Sequence, residues 1–538
     1  MNVLIVDALG AEKGYRRFSR DVIGAGPRSI AGVLEHAGLS CRIVLAEHFL
    51  TSKKDDIKIF DMLFISGMSM DLPCIAKVVS KWRKIKTRNN FPVIVGGPVA
   101  SDPYALIFKT KCSIAVIGEG EETLMELLNN GLIDGILPEA HILKNIRGIA
   151  WLYGNNIYIN SLRPVLSREK LNAFFPSVER IRDYPVFWAR RVYVECVRGC
   201  SNFYRTKLKL PDGRRCTNCG NCFSGSFLQR YFCPQNIPPG CGYCSVPSLF
   251  GPSRSRDYKV IVREIKSLIN MGVKRIVLGA SDFLDYQRDE LVYPEPLTDP
   301  RYPPPNYEAI ERLLSEIANI PEVGSGEVYV SVENVKPNLF DERVAEIISK
   351  YLPDSTIHMG CETGSELHSK LIGRPSTPKE VLNAIKIARK NGLRPYVYFI
   401  HGLPGQSDET VHETINIIRK MKNYVEKITI YKFRPLPFSA FGDFPTPPPA
   451  VKDPLSRKIV DEVEKINSEM KRKLVGKVLN VIVAESFRKR KNDGVGYVIS
   501  EGPVVIVRNA GNKVGRKLKV KVIRAISDRL VEAEELLN

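Results

Sequence analysis

Eight of the chain's twelve cysteines lie between Cys196 and Cys244. Thiolates repeated at two-residue gaps are how a chain wraps a soft metal. Cys216, Cys219 and Cys222, followed by Cys233 and Pro234, have the spacing of a set for one 4Fe–4S cluster. Cys200, resumed by Cys241 and Cys244, makes a set of three, which would leave one iron open to another ligand. Cys196 and Cys200 are a competing start to that set, but no third cysteine follows at the needed gap. A disulfide framework suits short secreted chains, whereas this one has 538 residues and no leader is expected from Met1-Asn2-Val3. A zinc ribbon built from Cys216/Cys219 and Cys241/Cys244 meets the spacing but leaves Cys200, Cys222 and Cys233 without a role.

Elements must carry these loops. In the N-terminal third, apolar runs at Val3–Asp7, Cys41–Val44, Asp61–Gly67, Pro92–Pro98 and Ile114–Glu121 alternate with helical stretches such as Gly26–Gly38. That order predicts an open, parallel, doubly wound sheet over 1–137. A connector over 138–190 carries a hairpin, Ile149–Tyr153 turning into Ile157–Ile159. Residues 191–440 read as a partial (β/α) barrel interrupted by the cysteine-rich insertion 201–240. Its strands are expected at Val192–Val194, Arg275–Asp282, Glu327–Asn334, Ile357–Ser365, Arg394–Ile400 and Lys427–Phe433, with a helix over Arg256–Met271. A proline-rich linker and helix occupy 441–470, and residues 471–538 alternate like a small OB-like β-barrel. The fold class is α/β throughout the first two parts.

Lys and Arg number 79 against 59 Asp and Glu, a formal charge of +20, which points to an anionic partner such as nucleic acid or an anionic lipid surface. No apolar run reaches ~18 residues, so no transmembrane segment is expected. The run Arg488-Lys489-Arg490-Lys491 is expected in an exposed loop and is the clearest phosphate footprint.

Taken together, Arg198-Gly199-Cys200, Gly240-Cys241-Gly242-Tyr243-Cys244, Glu362-Thr363-Gly364-Ser365 and Gly402-Leu403-Pro404-Gly405 resemble the radical S-adenosylmethionine (SAM) superfamily, in an archaeal form with a split cluster loop. Gly96-Gly97-Pro98 with Gly118-Glu119-Gly120-Glu121 resembles its cobalamin-binding-type N-terminal domain, and the C-terminal segment resembles a TRAM domain. The resemblance implies a SAM-binding 4Fe–4S cluster on Cys200, Cys241 and Cys244 and an auxiliary 4Fe–4S cluster on Cys216, Cys219, Cys222 and Cys233. It implies cofactor contacts from Tyr243, Ser281, Asp282, Glu333, Glu362, Thr363, Gly364, Ser365, Gly402 and Pro404. The family's D-x-H-x-x-G motif for the lower cobalamin ligand is absent, since Asp7 is followed by Ala8 and Leu9. The domain would then bind cobalamin without a protein ligand or serve as scaffold.

The activity so implied is a transferase, or C–C or C–S bond-forming, chemistry. A 5′-deoxyadenosyl radical would modify an unactivated carbon of transfer RNA, by methylthiolation or methylation. Arg488, Lys489, Arg490 and Lys491 would contact the RNA, a ferredoxin or flavodoxin would act as reductant, and the location would be the cytoplasm. The alternative is an archaeal membrane-lipid enzyme forming tetraether or cyclopentane-ring C–C bonds. A third class is a non-catalytic iron–sulfur RNA-binding protein.

Overall fold

The computed structural model describes residues 1–17, 19–86 and 91–536. The chain divides into two compact units, Met1–Phe187 and Trp188–Asn538.

In the first unit the strands are β1 (Asn2–Asp7), β2 (Ser40–Leu45), β3 (Met62–Ser66), β4 (Val93–Gly96), β5 (Ile114–Val116), β6 (Ile149–Tyr153) and β7 (Asn156–Ile159), in the sheet order β2-β1-β3-β4-β5-β6-β7. The first five in that order pair in parallel, and β6 and β7 add antiparallel at the edge. Val3, Ile5, Val6, Leu63, Val93 and Val95 are fully buried, as expected of strands covered on both faces. The hairpin assigned to a connector is therefore the edge of this sheet. The order reverses between β1 and β3, which is where such sheets open a ligand crevice.

The second unit holds the half-barrel: β8 (Arg191–Arg198), β9 (Arg254–Ser255), β10 (Arg275–Ala280), β11 (Tyr329–Val332), β12 (Thr356–Glu362), β13 (Arg394–His401) and β14 (Lys427–Lys432). Strands β8, β10, β11, β12, β13 and β14 run parallel, and β9 joins β8 antiparallel. Helices such as Tyr258–Asn270, Pro378–Lys390 and Asp408–Met421 bury one apolar stripe each against the outer face.

Five further strands close into a barrel in the order β15 (Val478–Phe487), β16 (Arg490–Val498), β17 (Val504–Val507), β19 (Leu530–Glu535), β18 (Lys517–Ala525). Its core is small and β-branched, with Val481, Val483, Val505, Val507, Val520 and Val531 all at 0% exposure. The helix Pro454–Arg472 leads into it, and its Asn467 amide clasps the Ile428 backbone in both directions, at 3.0 and 2.7 Å. The barrel is docked on the N-terminal ends of the half-barrel strands. Ala189, Ile482, Ala484, Tyr497 and Ile499 form one apolar cluster, and Arg394 donates to the Ser500 and Glu501 carbonyls at 2.5 and 2.9 Å.

Candidate active site

The half-barrel carries its chemistry at the C-terminal strand ends. Strand β8 ends at Arg198, and Gly199 then turns with φ +80°. A Cβ there would sit 2.1 Å from the Pro252 carbonyl, so only glycine passes. The turn delivers Cys200, whose N–H donates to the Gly251 carbonyl at 3.1 Å. Asn202 then gathers the split loop. Its backbone N–H donates to the Cys200 sulfur at 3.4 Å, and its amide donates to the Cys241 sulfur at 3.3 Å and to the Gly373 carbonyl at 3.1 Å. Cys241 and Cys244 share a tight turn closed by a 2.8 Å hydrogen bond. Gly242 lies under Phe441, where a Cβ would meet the ring at 2.4 Å.

The three thiols Cys200, Cys241 and Cys244 thus face one space. Burial pushes the Cys200 thiol up to about 11, and burial together with Cys241 and Cys200 pushes the Cys244 thiol up to about 12. Such thiols keep their protons until a metal displaces them. Among the described residues no three side chains close on a single metal ion. A cluster of four irons spreads its thiolates around a cube, so it asks for a wider set than one zinc would. Cys196 is not with them. It is fully buried within β8, its sulfur 3.7 Å from the Val194 carbonyl and beside Glu264 and Arg256.

Two charged groups flank the thiols. On one side, Lys336 Nζ lies 3.0 Å from Asp282, 2.8 Å from Asp285 and 2.7 Å from the Ser201 hydroxyl. Asp285 also accepts from the Ser201 N–H and hydroxyl at 3.1 and 2.9 Å and is ion-paired with Arg288. Burial would raise Asp285, but Lys336 and Arg288 outweigh it and hold the carboxyl well below its usual range. Asp282 is accordingly a structural anchor that takes the Lys336 N–H at 2.9 Å, rather than a group open to a ligand. Ser281 is exposed beyond β10.

On the other side, Arg374 donates to the Tyr243 hydroxyl at 2.7 Å, to Glu362 at 3.2 Å and to the Gly360 carbonyl at 2.6 Å, while its Nε is buried with no partner. Glu362 has φ +65°, a strained value for a side-chain-bearing residue, directly after a break in the β12–β13 register.

Other expected contacts have internal duties. Ser365 caps the helix Glu366–Leu371 by accepting from the His368 N–H, and Gly364 is pressed against Thr414, whose hydroxyl its N–H meets at 2.8 Å. Gly402 donates to Gln406 at 2.7 Å. His368 joins the two motifs, with Nδ1 3.1 Å from the Thr363 hydroxyl and Nε2 2.8 Å from the Pro404 carbonyl. The roles of Asn202, Asp285, Lys336 and His368 are not legible from motif spacing. Only Asn202, two residues after Cys200, carried a local signal.

Cys216, Cys222 and Cys233 form a separate neighbourhood, with Cys216 and Cys233 packed against a cluster that includes Leu210, Ile237 and Phe433. Buried Arg205 donates to the Cys222 sulfur at 3.5 Å, and the Asn218 N–H donates to the Cys216 sulfur at 3.4 Å. Buried cations and N–H donors aimed at sulfur suit an anionic cluster. Cys219 is the exposed member.

In the first unit the crevice between β1 and β3 is filled by the chain itself. Asp7, at the end of β1, is fully buried and paired with Arg16 at 2.9 Å and with the Tyr184 hydroxyl at 3.0 Å. Asp71 folds the following loop inward by accepting from Gly10, Glu12 and Met68. A Cβ at Gly67 would strike Ile75 at 2.9 Å, and one at Gly97 would strike the Gly67 carbonyl at 2.9 Å.

This cysteine-bearing half-barrel defines a class. The chain matches the Radical SAM superfamily model over residues 231–418 and belongs to that superfamily as an enzyme of its class. The match begins at residue 231, after Cys200. The class brings a 4Fe–4S cluster and SAM. Over 529 residues the chain is 44% identical to an uncharacterized protein of Methanocaldococcus jannaschii, covering 98% of this chain and 97% of that one. It is 26% identical over 302 residues to the ribosomal protein uS12 methylthiotransferase RimO of Clostridioides difficile, covering 52% and 61%. Among solved structures, the radical SAM methyltransferase TsrM of Kitasatospora setae superposes with a TM-score of 0.56 at 14% identity, covering 82% of this chain and 75% of that one. No described helix is long and apolar enough to cross a membrane.

Proposed function

We propose that the protein uses a SAM-activating cluster on Cys200, Cys241 and Cys244 to modify a polar, hydrogen-bonding substrate, RNA rather than lipid. The observation that carries this reading is the lining of the half-barrel lumen. Tyr193, Glu333, His358, Tyr398 and Tyr431 form one chain of contacts, with Lys427 below them over the Tyr396 ring at 5.7 Å. A lipid chain would set hydrocarbon against this polar lining, whereas a nucleotide offers partners for both hydrogen bonds and rings. The exposed lysines of the C-terminal barrel and the net charge of +20 support an anionic partner.

Tyr243, Arg374 and Glu362 would hold the amino-acid and ribose ends of SAM beside the three thiols. With cluster and SAM bound, one-electron cleavage of the sulfonium supplies a 5′-deoxyadenosyl radical. Asn202 holds the Cys200 and Cys241 sulfurs in place, and Lys336 keeps a cation next to Cys200. Cys216, Cys219, Cys222 and Cys233 would hold the second cluster. Phe223 and Phe232, next in sequence to Cys222 and Cys233 and 52% and 65% exposed, would offer a surface for a small electron-carrier protein. The filled crevice of the first unit supports chemistry without cobalamin.

The test is mass spectrometry of transfer RNA nucleosides and of core lipids from a strain lacking the gene. A missing modified nucleoside with unchanged lipids is expected. Changed lipids with an intact nucleoside profile overturn the reading.

A further inference from the structure

The half-barrel lumen ends on a group that its own strands do not supply. Glu501 lies in the loop between β16 and β17, with φ +65°, a value costly for a residue with a side chain. That turn pushes its carboxylate among the first residues of the strands, where its side chain is 8% exposed. One oxygen is ion-paired with Arg191 of β8, and the other accepts the Thr356 hydroxyl and lies 3.3 Å from His358 Nε2. On its other side, His358 Nδ1 is hydrogen-bonded to the Tyr398 hydroxyl and lies 3.6 Å from Glu333. The Tyr396 ring stacks on the imidazole, centroids 4.9 Å apart.

A carboxylate only accepts, and Glu501 at 3.3 Å from Nε2 is the nearer of the two carboxylates, so in its neutral form the imidazole would carry its hydrogen on Nε2 and turn a lone pair toward Tyr398. The ion pair with Arg191 and the hydrogen bond from the Thr356 hydroxyl favour the carboxylate form of Glu501. Burial, with Glu333 and Tyr431 nearby, keeps the Tyr398 phenol well above its usual range, so it starts as a neutral hydroxyl.

We infer that the C-terminal barrel supplies a positioning residue to the active lumen: Glu501 orients His358, and His358 sets the Tyr398 hydroxyl to take a proton from a polar group of the substrate. In that step an X–H bond of the substrate breaks and its electron pair stays on X. The proton adds to the Tyr398 oxygen while the phenol's own proton passes to His358 Nδ1. The imidazolium so formed is balanced by Glu501. This is the orienting logic of a carboxylate–histidine pair, with a phenol in the outer position. It rests on the reading of the lumen as a pocket for a polar substrate.

The first arm of the test needs no substrate. Nitrogen-15 NMR of histidine-labelled holoenzyme, with its clusters in the oxidised, diamagnetic state, should show His358 as the Nε2–H tautomer. Glu501→Gln, whose amide can donate, should shift it toward Nδ1–H; Glu501→Asp should restore the wild-type tautomer. Tyr398→Phe, which keeps the ring, should move the Nδ1 resonance. An unchanged tautomer in Glu501→Gln, or an unmoved Nδ1 signal in Tyr398→Phe, overturns the relay. Should Glu501→Gln fail to fold, the Tyr398→Phe signal decides.

The second arm supplies transfer RNA from the deletion strain together with SAM. The ratio of modified nucleoside to 5′-deoxyadenosine should fall about tenfold or more in Tyr398→Phe and Glu501→Gln, within the range of one general-base contribution. Equal ratios in variant and wild type count against the relay. Wild-type protein inactive on transfer RNA counts against the RNA reading, while the first arm still decides the relay.

Discussion

At the scale of single residues, the arrangement of thiols separates two uses of cysteine in one short stretch. Cys241 and Cys244 share a turn that Asn202 ties to Cys200, while Cys196 is sealed in strand β8. Cys241→Ala and Cys244→Ala should each abolish reductive cleavage of SAM to 5′-deoxyadenosine, and Cys196→Ala should retain it. Chromatography of the nucleoside products checks both; activity lost in Cys196→Ala and kept in Cys244→Ala would reverse the assignment. Cys219→Ala should lose about half of the roughly eight irons of the wild type and keep SAM cleavage, because its set serves only one of two clusters. Iron analysis with Mössbauer spectroscopy reads the loss, and a wild type holding about four irons would give those four cysteines another role. The cysteine grouping was legible in the sequence because cluster ligands are set by short spacings. The charged frame was not: Lys336 and Asp285 meet across 51 residues, and only the folded strand ends bring them together.

At the scale of elements, alternating apolar runs announced both sheets, since buried parallel strands leave a continuous hydrophobic record. The hairpin Ile149–Ile159 is legible in the sequence, but its place at the edge of the first sheet is not, because pairing partners are not written into a strand's own pattern. The motif Gly96-Gly97-Pro98 invited a ligand reading. Gly97 in fact admits the Gly67 carbonyl, and the crevice beside it is closed by Asp7, Arg16 and Tyr184. Two outcomes follow. Hydroxocobalamin incubated with the anaerobically prepared protein should elute apart from it in gel filtration, and a stoichiometric bound corrinoid would contradict the closed crevice. Arg16→Ala should destabilise the first unit by about 3–5 kcal/mol, since it strands Asp7 in a buried site. Denaturant unfolding measures this, and a change under about 1 kcal/mol would mean that the pair is not doing the closing.

At the scale of the whole molecule, the C-terminal barrel of the second unit is fixed by an apolar cluster and by Arg394 and Glu501 at the N-terminal strand ends, opposite the thiols. The sequence revealed a small basic barrel but not where it docks. Docking depends on residues such as Ala189, Tyr497 and Ile499, which look like ordinary core residues when read alone. Cutting the chain near Met470 would therefore expose the half-barrel floor, and RNA binding is better tested by charge removal. The basic run itself divides in two. Arg488 and Lys489 make the turn between β15 and β16, while Arg490 opens β16 and is paired with Asp493 and Glu532 at 2.7 Å each. Glu532 is fully buried, which would raise its carboxyl, yet hydrogen bonds from Arg490, Arg508 and Arg524 bring it down to about 2. The stability this confers is fully present above the ordinary glutamate value of about 4.3 and is lost as pH falls through about 2. Arg490→Gln should thus weaken the barrel at neutral pH and leave the salt dependence of RNA binding nearly unchanged. Lys489→Gln with Lys491→Gln should do the reverse, flattening the slope of log affinity against log salt by up to about 0.9 for each phosphate no longer neutralised. Filter binding of transfer RNA across a salt series, beside thermal unfolding of each variant, reads both. A slope that drops with Arg490→Gln and holds with the lysine pair would place the phosphate-binding side chains elsewhere on the barrel.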